Sequence, residues 1–186
     1  SKSRVSEIDA GVVEADLRLL GGELPDGVEV EVEDGRLAID DLRPGTLDLV
    51  VGDAFGGVSV PWHLATREAL AGLRAGLEVD GLYVANVIDH GPLDFARAYV
   101  RTAGEVFDEV ALLAAPEVLA GDDGGNMVVV ASREPLDLDR VGDGLEERGL
   151  DWTSLAGADL AAWAGHAPVL TDDFAPVDQL LTPYGR

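Results

Sequence analysis

Four apolar runs of strand length in this sequence end on a carboxylate. Glu7 and Asp9 close "RVSEID", Asp34 closes "GVEVEVED", Asp53 closes "TLDLVVGD" and Asp89 closes "GLYVANVID". An ionised carboxylate only accepts hydrogen bonds, which limits what such a position can do. Its two oxygens can each take one hydroxyl of a ribose. It can attract an ammonium group and remove its proton, or it can cap a following helix by taking orphan N–H groups. Asp9 and Asp34 suit capping and ligand contact equally. Glu7 lies inside its strand end and Glu is not a preferred cap residue, so it points to the ribose role. Asp53 is separated from the next helical pattern, which opens at Trp62, by a loop too long for capping. That loop runs through Ala54, Phe55, Gly56 and Gly57, a flexible backbone with one aromatic side chain, where a carboxylate can meet an amine.

Other chemistry-bearing residues are sparse. His63 and His90 are acid–base candidates, although a lone histidine more often satisfies a backbone group, and His166 falls in the C-terminal tail. Three scattered histidines without HxxxH spacing, in a chain lacking cysteine, give no expected metal site. The lack of cysteine also excludes a disulfide framework and a thiolate nucleophile. Thirty-six acids against thirteen Lys and Arg leave a net charge of −23. Such a charge repels phosphate backbones and anionic lipid, so neither nucleic acid nor a membrane surface is an expected partner. A cationic substrate is favoured, and the same acids serve solubility. No apolar stretch approaches the roughly 20 residues that span a bilayer, and "SKSRVSEID" lacks the apolar centre of a signal peptide. A cytoplasmic location is expected.

The elements that must position these acids follow from periodicity. "RVSEID" alternates briefly, Val12, Val13, Leu17 and Leu20 then recur at helical spacing, and Gly21-Gly22 is a stop. Val28, Val30 and Val32 share one strand face, with a short helical turn in "GRLAIDDL". "TLDLVVGD" is a nearly continuous apolar strand, and Leu64, Ala69, Leu70, Leu73 and Leu77 line one side of the helix predicted from Trp62. "GLYVANVID" precedes a helix opening at Pro92 with Phe95, Ala98, Tyr99 and Val106 on its buried face. "DEVALLAA" and "GGNMVVVASR" read as two last, antiparallel strands. This alternation predicts a parallel sheet covered on both faces, with the carboxyl-end acids along one rim. Residues 1–133 form the expected nucleotide-binding core, and 134–186 a helical extension packed on it.

The ordered set "SEIDAGVVE", "VEDGRLAI", "LDLVVGDAFGGVSVPWHLATREAL", "GLYVANVID", "GGNMVVVAS" and "LTDDFAPVDQLL" resembles the spermidine synthase-like polyamine aminopropyltransferases over nearly the whole chain. The resemblance implies an α/β, Rossmann-like class I methyltransferase-type fold, a parallel sheet with a final antiparallel strand. It further implies transfer of the aminopropyl group of decarboxylated S-adenosylmethionine to a polyamine or related amine. In that family's pattern Glu7, with Asp9 in the same "EID" element, holds the ribose hydroxyls. Asp34 and Gly35 approach the adenine, Asp53 is the catalytic acid–base group, and Ala54, Phe55 and Gly56 form the substrate loop. The family places a second diamine-gripping aspartate where this chain has Gly56, which leaves the acceptor open. Its first strand and Gly-rich loop would lie upstream of Arg4, so an N-terminally incomplete chain is expected. The alternatives are an S-adenosylmethionine-dependent methyltransferase and a non-catalytic relative. A homodimer is the assembly the family suggests.

Overall fold

The computed structural model describes residues 2–57 and 59–181, in two compact units, Ser1–Leu42 and Arg43–Arg186. In the first unit β1 (Ser3–Glu7) and β2 (Val28–Val32) pair in parallel, with Val5 opposite Val30 and Glu7 opposite Val32. A parallel pair needs a crossover, and α1 (Ala10–Leu19) makes it. The helix ends where Gly21 and Gly22 take φ of +82° and +98°, a region glycine enters without steric cost. α2 (Gly35–Asp40) follows β2. Both strand–helix pairs stand where the sequence predicts them.

In the second unit β3 (Leu47–Gly52) lies parallel to β4 (Leu77–Asp89). β6 (Gly125–Ser132) is antiparallel to β4, β5 (Glu109–Ala114) is antiparallel to β6, and β7 (Thr153–Ala156) is antiparallel to β5. The sheet order is β3-β4-β6-β5-β7. The four predicted parallel strands thus form two parallel pairs, one in each unit, with β6 as the antiparallel addition. The short strand β7, in the C-terminal extension, is not anticipated by the sequence pattern.

Residues alternate across β4: Tyr83, Ala85, Val87 and Asp89 are buried beneath α3 (Arg67–Gly76) and α4 (Asp94–Gly104). These helices contribute Leu70, Leu73, Phe95 and Tyr99 to the core, each such burial stabilising by about 1.5–3 kcal/mol. Leu49, Val51 and Leu82 on the other face are exposed. The connections α5 (Pro116–Ala120), α6 (Leu138–Glu147), α7 (Gly157–Ala164) and α8 (Val177–Leu180) complete the unit.

Two helix starts fall later than predicted. Trp62–Leu64 is a 3-10 turn, and α3 begins only at Arg67, where the Thr66 hydroxyl accepts the Ala69 N–H at 3.2 Å. Leu77, expected on the helical stripe, opens β4 instead. Glycine at position 81 lets that strand pass its neighbour, since a Cβ there would stand 2.9 Å from the Leu47 carbonyl oxygen. α4 begins at Asp94, two residues beyond the turn at Pro92, after Leu93 has taken φ of +67°.

Candidate functional site

Asp53 leaves the carboxyl end of β3 on the exposed face of the sheet. Its backbone is set by what lies beneath Gly52: a Cβ on that residue would be 2.8 Å from the Tyr83 hydroxyl and 3.3 Å from its ring. Tyr83 cannot yield freely, because it is buried and its hydroxyl is 2.6 Å from that of Tyr99. Burial pushes the Tyr83 phenol up to about 12, and burial together with Tyr83 raises Tyr99 as well. Both therefore stay neutral and share one hydrogen bond. The Asp53 Oδ1 accepts a hydrogen bond of 2.9 Å from the Asn86 amide of β4, and the Asn86 Oδ1 accepts one of 2.9 Å from the Asn126 amide of β6.

Beyond Asp53 the loop turns back on itself, the Gly56 N–H meeting the Ser59 carbonyl at 2.8 Å. Gly57 has φ of +87°, so its glycine is conformational. Gly56 is different: a Cβ there meets only the Ser59 carbonyl oxygen, at 3.9 Å, and a larger residue would fit. Ala54 is exposed and Phe55 half-buried. Ser59, Val60, Pro61 and Trp62 then form one wall of a cavity of about 310 Å³, whose other wall is Ala175, Val177, Asp178 and Gln179. The "LTDD" element anchors the far end of this loop. The Thr66 hydroxyl donates to Asp172 Oδ1 at 2.7 Å, the Asp172 N–H donates to Glu68 Oε2 at 3.0 Å, and the Arg67 N–H donates to the Leu170 carbonyl at 2.8 Å.

The first unit brings Glu7, Asp9, Asp34 and Gly35 to the carboxyl ends of its own parallel pair. Asp9 caps α1 through the Gly11 N–H at 2.7 Å, and Asp34 caps α2 through the Arg36 N–H at 2.7 Å, with Gly35 the first helical residue. The capping option for both is thus realised, and it costs each carboxylate one acceptor site. Glu7 Oε1 takes the Asp9 N–H at 2.8 Å, so this acid also braces the turn after its strand.

Asp89 departs from the rim expected of it. It is fully buried, accepts the His90 N–H at 2.8 Å and the Ala96 N–H at 3.0 Å, and so fastens the start of α4. Burial raises its pKa, opposed by those backbone donors. His90 packs against Gly124, where a Cβ would lie 2.1 Å from the ring, and His63 lies edge-on to Trp62 at 5.5 Å. The histidines are dispersed, and no group of three or more metal-ligating residues occurs among the described residues. No helix among them is long and apolar enough to cross a membrane. Tyr99 was expected only as part of a buried helix face, and Asn86, Asn126 and Tyr83 were not singled out by sequence reasoning. The one local signal was a lone amide within the apolar run "GLYVANVID".

No family model and no curated protein matches this sequence. Solved structures do. A probable spermidine synthase from Corynebacterium glutamicum superimposes with a TM-score of 0.82 at 27% identity, over 98% of this chain and 67% of that one. A spermidine synthase in complex with the transition state analogue AdoDATO gives 0.61 at 19% identity, over 76% of this chain and 51% of that one. Human methyltransferase-like protein 13 in complex with SAH gives 0.59 at 18% identity, over 77% of this chain and 69% of that one. The last two likenesses are of fold alone, and the chain spans about half to two thirds of the two synthases. It is spermidine synthase-like, built on the Rossmann-like, class I methyltransferase-type fold.

Proposed function

We propose that this chain is the transferase portion of an aminopropyltransferase. The observation that carries the reading is Asp53, an exposed carboxylate at the carboxyl end of a parallel strand in a spermidine synthase-like fold. The co-substrate is decarboxylated S-adenosylmethionine, a choice supported by the AdoDATO and SAH held by two structures of the same fold. Glu7 accepts the ribose hydroxyls, with Asp9 bracing its turn, and Asp34 and Gly35 lie against the adenine. Residues 1–133 form the nucleotide-binding core and 134–186 its extension.

An amine attacks carbon only as the free base, and the net charge of −23 draws its ammonium form to the protein. The amine nitrogen forms a bond to the aminopropyl carbon next to the sulfonium, the carbon–sulfur bond breaks, and methylthioadenosine leaves. Asp53 aligns the nitrogen and accepts its proton. The sulfonium is already an activated leaving group, so the protein's share is alignment and proton removal. Ala54, Phe55 and Gly56 flank the acceptor. A polyamine or a related amine enters there, gripped without the second acid that Gly56 omits.

The test is methylthioadenosine release by the full-length polypeptide from decarboxylated S-adenosylmethionine and a panel of polyamines. Release that disappears in Asp53→Asn supports the reading. Transfer of a labelled methyl group from S-adenosylmethionine, without methylthioadenosine, would replace it with a methyltransferase. Absence of nucleoside binding altogether would make the chain a non-catalytic relative.

A further inference from the structure

Asp53, directly after β3, and Asn86 and Asn126, in the neighbouring strands β4 and β6, form one chain of hydrogen bonds on the exposed face of the sheet. The register produces it. Gly52 lies opposite Ala85, which carries Asp53 alongside Asn86, and Asn86 lies opposite Val128, two residues from Asn126 on the same face.

The direction of this chain is forced by its first member. A carboxylate can only accept, so Asn86 must turn its amide nitrogen to Asp53. Its carbonyl oxygen then faces Asn126, which must in turn present its own nitrogen. We propose that Asn86 and Asn126 are positioning residues that hold the Asp53 carboxylate by Oδ1 and leave Oδ2 to the acceptor amine. This rests on the transferase reading above for its consequence, though not for its geometry.

Replacement of Asn126 tests the direction rather than the mere presence of the chain. Asn126→Ala removes the outer donor, and because the site is exposed, water can take its place. Asn126→Asp is nearly isosteric but supplies an acceptor where a donor stood. Asn86 then turns its nitrogen outward and sets its oxygen against the Asp53 carboxylate, acceptor against acceptor. The smaller chemical change therefore does the greater harm. A purely structural Asn126, holding the start of β6, would show the reverse order or none.

In the full-length polypeptide, with methylthioadenosine release as the readout, Asn126→Ala should lower kcat about two- to threefold. Asn126→Asp should lower it about tenfold or more, with KM for the nucleoside unmoved, and Asn86→Asp, beside Asp53, more still. Independently of activity, the side-chain amide signals of Asn86 and Asn126 in NMR spectra should both move when Asp53 is replaced by Asn, because the hydrogen-bond chain that starts at its carboxylate couples them. Equal or greater loss in Asn126→Ala than in Asn126→Asp overturns the proposal, as do amide signals indifferent to Asp53→Asn. Coupled amide signals in a protein that releases no methylthioadenosine would overturn the transferase reading and leave the relay standing.

Discussion

Of the residues described between Ser1 and Leu42 only Ala38 is buried, whereas the unit Arg43–Arg186 shuts Phe95, Tyr99, Leu70, Leu112 and Met127 away from water. Both units alternate strand with helix, and β2 is as regularly patterned as β4. Composition separates them. The first unit contains no aromatic residue, and its Ile8 and Leu19 are 70% and 85% exposed. Its order rests on backbone pairing, on caps by Asp9 and Asp34, and on Arg4 bridging Glu31 and Glu33 at 2.7 Å each. Surface pairs of that kind add little stability, and a two-stranded sheet is marginal by itself. The lesson is that hydrophobic periodicity specifies an element's type without specifying how far the element is buried.

The contrast extends to the acids, and it can be broken or sharpened by experiment. The largest effect should come from the second unit: Asp53→Asn in the full-length polypeptide should lower kcat for methylthioadenosine release by about 10³-fold with thermal stability retained. Equal activity would remove the distinction between a unit that does chemistry and one that binds. Hydrogen exchange should divide the same way, amides of β1 and β2 exchanging at least about a hundredfold faster than those of β4 and β6. Similar protection in both would show that packing does not separate the units.

An alkaline titration should act on the buried tyrosine pair of the second unit. The Tyr83 phenol is raised to about 12 in the folded protein. The unfolded chain therefore releases this proton near pH 10 while the native state keeps it. Its stabilisation is complete below pH 10 and is lost as pH rises towards 12. Tyr83→Phe should abolish about 2–3 kcal/mol of that pH dependence, measured by denaturant unfolding between those limits. In the first unit, Glu7→Gln should raise KM for the nucleoside about tenfold and spare kcat. The smallest effect should be Gly56→Asp, which the space around that residue admits: folding unchanged and diamine KM lowered a few-fold.

Much of this was legible in the sequence because the signals were local. Val28, Val30 and Val32 alternate, Gly21-Gly22 stops a helix, and an acid closes each of four apolar runs. The late start of α3 was not legible. Its cap, Thr66, is completed by Asp172, and no window around Trp62 contains that partner. Leu77 fits a helical stripe and a strand equally well, and only pairing with Leu47 decides for the strand. Asp53 was visible as an acid after a strand, but its amide neighbours depend on the register of three strands. Asp89 has the same local signature as Asp53 and the opposite fate, since the turn into α4 folds over it.

The fastening of α3 by the "LTDD" element also bears on how the chain matures. Thr66 and Asp172 are 106 residues apart, and Glu68 and Asp172 are 104 apart. Contacts across such separations form late, because the intervening chain must be ordered before they are made. During synthesis β1 to β3, and Asp53 with them, emerge first. The far end of the Asp53 loop acquires its last hydrogen bonds only after Leu170 and Asp172 have left the ribosome. A nascent chain that already holds Glu7, Asp9, Asp34 and Asp53 therefore still lacks the hydrogen bonds that fasten the far end of the Asp53 loop.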